Sequence, residues 1–467
     1  MSSTQVDVVV DHVDWLVTVD EDRRVIRDAA VAIDGGRFVA VGKSDEVTAA
    51  YEGRQVVDGH HAVATPGLID GHLHSSFQLS RGLADEANAR EFLIARMYPY
   101  EAALTPDDVE LSARLAAREM LLSGTTCFVD PGNNHPDRTV AGVAPSGIRV
   151  VVARSAFDLG DSAFGSVPSS MVSTPDSAAK EAEALVDRFH GEYDGRVRAS
   201  VSFRGLNNSS DELITTLRDV AADREVLLQT HACFSYSTHD ASVAKFGLPE
   251  IARLRELDAL GPRTLLVHGG WLEPEEVAIL QEHWASIVAA PTSSMHNGYG
   301  NIRVGVLPEL MELGVNVGLG SDHACSGPVD LVREMFLVAC GHKEVRVNPR
   351  VMPPERALEM ATVNGAHAVD QAGVLGSIEV GKQADLVLFD TDDPSWQPLY
   401  NPVSNLVYSA TGRTTKHVLV GGELVVEDGR LTRVDEDELL SDVRAGAASL
   451  YDRLDGEKLV RGRWPVS

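Results

Sequence analysis

Lysine is almost missing from this chain: Lys43, Lys180, Lys245, Lys343, Lys382, Lys416 and Lys458 are the only seven in 467 residues. Arginine supplies the rest of 41 cationic side chains, against 69 Asp and Glu, for a formal charge of −28. That charge repels phosphate backbones and anionic bilayers, which excludes nucleic acid and membrane surfaces as partners and favours a neutral or cationic small-molecule substrate. Cysteine is scarce too. Cys127, Cys233, Cys325 and Cys340 are scattered without a CxxC pair, so neither a disulfide framework nor a thiolate zinc knuckle is expected. No run approaches the roughly 18 uninterrupted apolar residues of a membrane span. The opening MSSTQVDVVVDHV lacks a basic segment leading into an apolar core, and a cytoplasmic setting is expected. What the chain has in quantity is hydrophobic side chains, 44% of it, enough for a large core.

Eight short apolar segments end in polar residues: 63–74, 125–130, 148–158, 196–205, 225–232, 263–270, 285–293 and 315–322. The first seven lead into segments with helical pattern or start signals. Thr105-Pro106-Asp107-Asp108 and Thr174-Pro175-Asp176 each place a capping hydroxyl before proline at the first helical position, and the helix opened at Thr105 should end near Gly124. Eight strand–helix units predict an α/β fold, a (β/α)8 barrel over 63–371 with its site at the C-terminal strand ends. Residues 1–62 and 372–467 read as short strands and glycine turns, as in VAIDGGRFVAVG and KHVLVGGELVVEDGRL, and are expected to pair into one small β-sandwich domain.

His72 and His74 close the first of these strands, where residues i and i+2 face the same side. An HxH pair alone is weak evidence for a metal. His231, His268 and Asp322 end three further strands, so imidazole and carboxylate donors of the kind a borderline divalent ion prefers should converge at one barrel mouth.

With PGLIDGHLH, LLSGTTCFVD, LLVHGG, GLGSDHA, EMATVNGAHAVD and GSIEVGKQADLV, the chain resembles the amidohydrolase superfamily nearly end to end. It is similar in particular to the mononuclear branch of triazine hydrolases and adenosine-type or guanine deaminases. The resemblance implies His72, His74, His231 and Asp322 as ligands of one divalent ion, Zn²⁺ first, with Fe²⁺ or Co²⁺ as alternatives. It implies His268 as a catalytic histidine beside them, and a homodimer or homotetramer. None of the seven lysines ends the third or fourth strand, where two-metal members carry a bridging lysine. In the implied chemistry Asp322 takes a proton from the attacking water and passes it to the leaving nitrogen, while His268 stabilises the developing oxyanion.

In the deaminases of this branch the fifth-strand histidine opens an HxxE motif whose glutamate protonates a ring nitrogen. Here the run is His231-Ala232-Cys233-Phe234. Losing such an acid costs roughly 10²- to 10⁴-fold in ring deamination, whereas a carbonyl substrate has no ring nitrogen to protonate. The sequence therefore favours hydrolysis of a non-peptide C–N bond at the carbonyl of an amide, urea or (thio)carbamate, similar to phenylurea and thiocarbamate hydrolases. The alternative is a deaminase or dechlorinase of an N-heterocycle such as a purine, pterin or s-triazine, which needs a substitute proton donor. A third reading, a noncatalytic barrel, would be favoured by loss of a ligand, and none is lost.

Phe77, Gln78, Phe157, Arg204, Phe234, Trp271 and His323 flank these positions and are the substrate-binding candidates, as is Tyr236, with packing at the barrel rim as the competing assignment. Cys233 and Cys325 adjoin ligand positions but are expected to be buried structural thiols. His239 and His296 are read as surface or packing histidines.

Overall fold

The computed structural model describes residues 3–460 and Trp464; residues 1, 2, 461–463 and 465–467 of the expected composite domain lie outside the described residues. Eight parallel strands make the barrel. They are Leu68–Asp70, Thr125–Val129, Arg149–Val152 continued by Ser155–Ala156, Val197–Ala199 continued by Val201–Phe203, Leu228–Ala232, Thr264–His268, Ser286–Ala289 and Val317–Leu319. The ring closes where Gly71 N donates to Leu319 O at 2.8 Å and Leu73 bridges Asp322. Gly320 is required at that seam, because a Cβ there would stand 2.9 Å from both the N and the O of His72. Ile69, Val129, Val151, Leu265 and Val288, from the first, second, third, sixth and seventh strands, pack into one buried apolar cluster of the barrel.

Two strand expectations are corrected. The segment expected as one strand over 63–74 is broken at Gly67. Ala62–Pro66 pairs antiparallel with Leu386–Asp390 in the composite sheet, and only Leu68–Asp70 enters the barrel. The end of 285–293 is helical: Pro291 opens the helix Pro291–His296, since proline is suited to a first helical turn and removes a strand donor. The helix predicted from Thr105 is present as Pro106–Leu121. Thr105 and Asp108 form a reciprocal capping box at its start.

Strands from both chain ends join in one nine-stranded sheet. Its core draws Val10, Leu16, Ile33 and Phe38 from one end and Leu386, Leu388 and Leu419 from the other. The tail holds more than strands. Asp435 caps the helix Glu436–Arg453, whose Asp442 and Glu436 pair with Arg114 and Arg118 of the helix Pro106–Leu121. Leu450 of that tail helix joins Phe77, Phe92 and Tyr100 in one buried cluster, so the C-terminal helix backs a wall of the barrel mouth. Among the described residues, no helix is long and apolar enough to cross a membrane.

Candidate metal centre

His72 and His74 are set by the last turn of the first strand and by its neighbours. Leu73 between them is fully buried and its N–H donates to Val129 O. His74 N donates to Asp322 O at 2.7 Å and Asp322 N to His72 O at 2.8 Å, so the backbone itself ties the HxH pair to the eighth strand. Asp70 reinforces the seam. Its Oδ1 accepts the N–H groups of His72 and Ser321, both at 3.1 Å, and its Oδ2 accepts the Ser321 hydroxyl at 2.5 Å.

The donor atoms converge. Ligand atoms of His72, His74 and His231 all lie within 4.8 Å of one another. His74 Nε2 stands 3.2 Å from His231 Nε2, and Asp322 Oδ1 stands 3.2 Å from His72 Nε2 and 3.7 Å from His74 Nε2. Metal–nitrogen bonds of about 2.0–2.1 Å in a tetrahedron give edges of about 3.4 Å, so these separations fit a single divalent ion. The protonation states fit as well. Burial, then the neighbouring imidazoles, holds His74 and His231 well below the usual histidine range, leaving neutral nitrogen donors. His231 Nδ1 donates to Arg204 O at 2.8 Å, which fixes the tautomer and turns Nε2 toward the cluster. Burial alone would raise Asp322, but His323, His72 and His268 together hold its carboxyl well below the carboxylate range.

His268 lies beside the cluster, its ring 5.7 Å from that of His231 and 6.0 Å from that of His72. Burial lowers it to about 4, so it stands neutral at pH 7. His323 Nε2 stands 3.3 Å from Asp322 Oδ2 and its Nδ1 2.9 Å from Ser326 Oγ, bracing the carboxylate. Cys233, His268 and Asp322 all have left-handed backbones, at φ 56, 85 and 65, a conformation that non-glycine residues hold only where the surroundings impose it.

A cavity opens above the cluster. His74, Phe77, Arg204, His231, Phe234, His268, Asp322 and His323 line it, all singled out in the sequence. Gln78, Phe157 and Trp271 lie outside the lining. Gln78 is turned to Arg81, and Phe157 packs behind the wall against Tyr98. Trp271 donates its indole N–H to Tyr299 O at 2.9 Å and stacks edge-on with Tyr236, which is exposed. Cys233 and Cys325 are buried, and burial pushes both thiols up, in keeping with structural roles. His239 and His296 pair with Glu273 and Asp85 outside the lining.

Sequence reasoning missed Phe92, Met97, Tyr98, Glu101, Glu250 and Tyr299, which also line the cavity. Four of them come from the excursion between the first strand and the helix Pro106–Leu121. It includes a π-helical turn, Glu91–Met97, a local signal that often marks functional walls. Glu101 grips Arg204 through both carboxylate oxygens, at 2.6 and 2.5 Å, in a buried pair.

Comparison with known proteins agrees with this geometry. The amidohydrolase family model matches residues 63–425, and a model described as an imidazolonepropionase-like composite domain of bacteria matches residues 29–51. A 5-methylthioadenosine/S-adenosylhomocysteine deaminase of Syntrophobacter fumaroxidans is 33% identical over 95% of this chain and 98% of its own length. A 5'-deoxyadenosine deaminase of Methanosarcina acetivorans is 29% identical over 96% and 99%. The crystal structure of an adenosine deaminase from Xanthomonas campestris with bound zinc superposes with a TM-score of 0.88 at 26% identity, covering 97% of this chain and all of that one. With its barrel, its clustered imidazoles and a family match over most of its length, the chain belongs to the amidohydrolase family.

Proposed function

We propose that the protein is a mononuclear, zinc-dependent aminohydrolase that replaces the amino group of a purine-like N-heterocycle by oxygen, with 5'-modified adenosines as its first substrate class. The observation that carries this reading is the cavity: a three-imidazole cluster with Asp322 at its floor, under walls built from the rings of Phe77, Phe92, Phe164, Phe234 and Tyr299. Such walls suit a flat aromatic substrate. The two full-length relatives named above are both deaminases of adenosine-type nucleosides, which favours this reading over the carbonyl C–N hydrolysis that the missing HxxE glutamate suggests.

His72, His74, His231 and Asp322 would hold the ion. Bound there, it supplies a water acidified to near-neutral pH. Asp322, ionised at neutral pH and braced by His323, takes the proton of the attacking water and delivers it to the departing nitrogen. Neutral His268 offers an N–H toward the oxygen on which charge develops. The Glu101–Arg204 pair closes the far wall and holds the carbonyl that orients His231.

The test is ammonia release and product mass from zinc-loaded protein given 5'-methylthioadenosine, 5'-deoxyadenosine, adenosine, aminated triazines and pterins, with aryl ureas and carbamates alongside. Ammonia with the ring intact is expected, lost on chelation and restored by zinc. Scission of ureas or carbamates with no deamination would replace this reading by the carbonyl one, which Phe234 at the HxxE position keeps as the second reading.

A further inference from the structure

The wall beside His231 has lost its expected acid. Phe234 stands three residues after His231, its ring 5.6 Å from His268 and 5.3 Å from Tyr299. Yet the same wall contains a carboxyl. Glu250, in the first turn of the helix Glu250–Glu256, is 2% exposed and lines the cavity with His231, Phe234, His268 and Tyr299. Its Oε2 accepts the N–H of Cys233, the residue just before Phe234, at 2.7 Å. The carboxyl is thus tethered to the strand end where the motif's own glutamate would rise, but it arrives from the second helix after that strand.

We infer that Glu250 is the general acid of this site, delivering a proton to the ring nitrogen next to the amino-bearing carbon in place of the glutamate that Phe234 displaces. The inference rests on the aminohydrolase reading. In the step, the water oxygen forms a bond to the amino-bearing carbon, the C=N electron pair moves to the ring nitrogen, and that nitrogen takes the Glu250 proton. The bond to the amino group then breaks. The nitrogen leaves as ammonia with the proton carried by Asp322, and the remaining O–H proton returns to the Glu250 carboxylate as the ring carbonyl forms.

The surroundings keep the acid charged with its proton. Among the described residues, no cation pairs with Glu250. The groups facing its carboxyl are the Cys233 N–H and thiol from the strand end, the Thr238 hydroxyl from the helix Tyr236–Phe246 and the Glu276 carboxyl from the helix Pro274–His283. Glu276 in turn accepts the N–H of Ile251 and faces His239. Burial first, and the Glu276 charge after it, push Glu250 up to about 7, only partly offset by the Cys233 N–H. Glu101, the other buried glutamate of the lining, is held in an ion pair with Arg204.

Glu250→Gln keeps an oxygen for Cys233 N and removes the acid. In zinc-loaded protein, kcat for ammonia release is expected to fall roughly 10²- to 10⁴-fold with KM little changed. The wild-type limb in which rate declines as pH rises past about 7 should vanish with it. Adding Phe234→Glu to Glu250→Gln should recover turnover, which a merely misfolded variant could not do. Infrared titration reads the same group without turnover: the protonated-carboxyl absorbance of wild type at slightly acidic pH, to which buried Glu334 also contributes, should fall by one carboxyl in Glu250→Gln. Wild type that releases ammonia while Glu250→Gln does so within a few-fold, or an unchanged infrared band, overturns the inference and leaves the aminohydrolase reading standing. Wild type that cleaves only carbonyl C–N substrates overturns both.

Discussion

Asp322 and Glu250 line one cavity and are almost equally buried, at 3% and 2% exposure, yet their environments drive them in opposite directions. Around Asp322 the cost of burial is outweighed by His323, His72 and His268, and its carboxyl stays ionised. Around Glu250, among the described residues, no histidine, lysine or arginine pairs with the carboxyl to offset burial, and a second carboxyl, Glu276, adds to the effect. Depth alone therefore does not decide protonation here; the partners of each carboxyl do. A pocket lined by one ionised and one protonated carboxyl is suited to acid–base chemistry at neutral pH, as the proposed roles require.

The sharpest way to break this contrast is at its base. Asp322→Asn removes both a ligand and the proton acceptor, and should lower turnover by roughly 10⁴-fold, the upper end for a positioned acid–base group. Circular dichroism should be unchanged, and retained activity would exclude the assigned role. Glu250→Gln comes next, with its loss of the alkaline limb. Arg204→Met then probes the buried Glu101–Arg204 pair. It leaves a buried carboxylate unpaired and should cost about 3–5 kcal/mol in urea denaturation, a cost reduced when Glu101→Leu is added. A loss confined to the single variant's activity, with stability intact, would argue against that pairing. The smallest effect is expected at the seam: Asp70→Asn loosens Ser321 and His72 without touching a ligand atom, and should weaken zinc affinity about 10-fold in a chelator competition.

Asp322 and Glu250 also differ in how far sequence reveals them. His231 and His268 stand at the ends of their strands, and His72, His74 and Asp322 follow theirs within four residues, so strand pattern plus barrel order suffices to bring them together. Glu250 closes nothing. It follows Pro249 in what reads as an ordinary helix start, and it reaches the cavity because the loop after the fifth strand folds back, with Cys233 in a left-handed turn. The Glu101–Arg204 pair depends likewise on how the excursion after the first strand lies across the barrel mouth, a tertiary outcome that no local pattern encodes. The tail helix is a different case. Asp435 ahead of Glu436-Asp437-Glu438 is a helix-start signal, masked by the strand signals preceding it.

The most direct test of the account is to run zinc-loaded protein in ¹⁸O-labelled water with 5'-methylthioadenosine and follow nitrogen and oxygen together. The account predicts one ammonia released and one ¹⁸O gained on an intact purine for each turnover. Turnover confined to ureas, carbamates or amides, split into amine and acid fragments while every aminated ring stays unchanged, would contradict it.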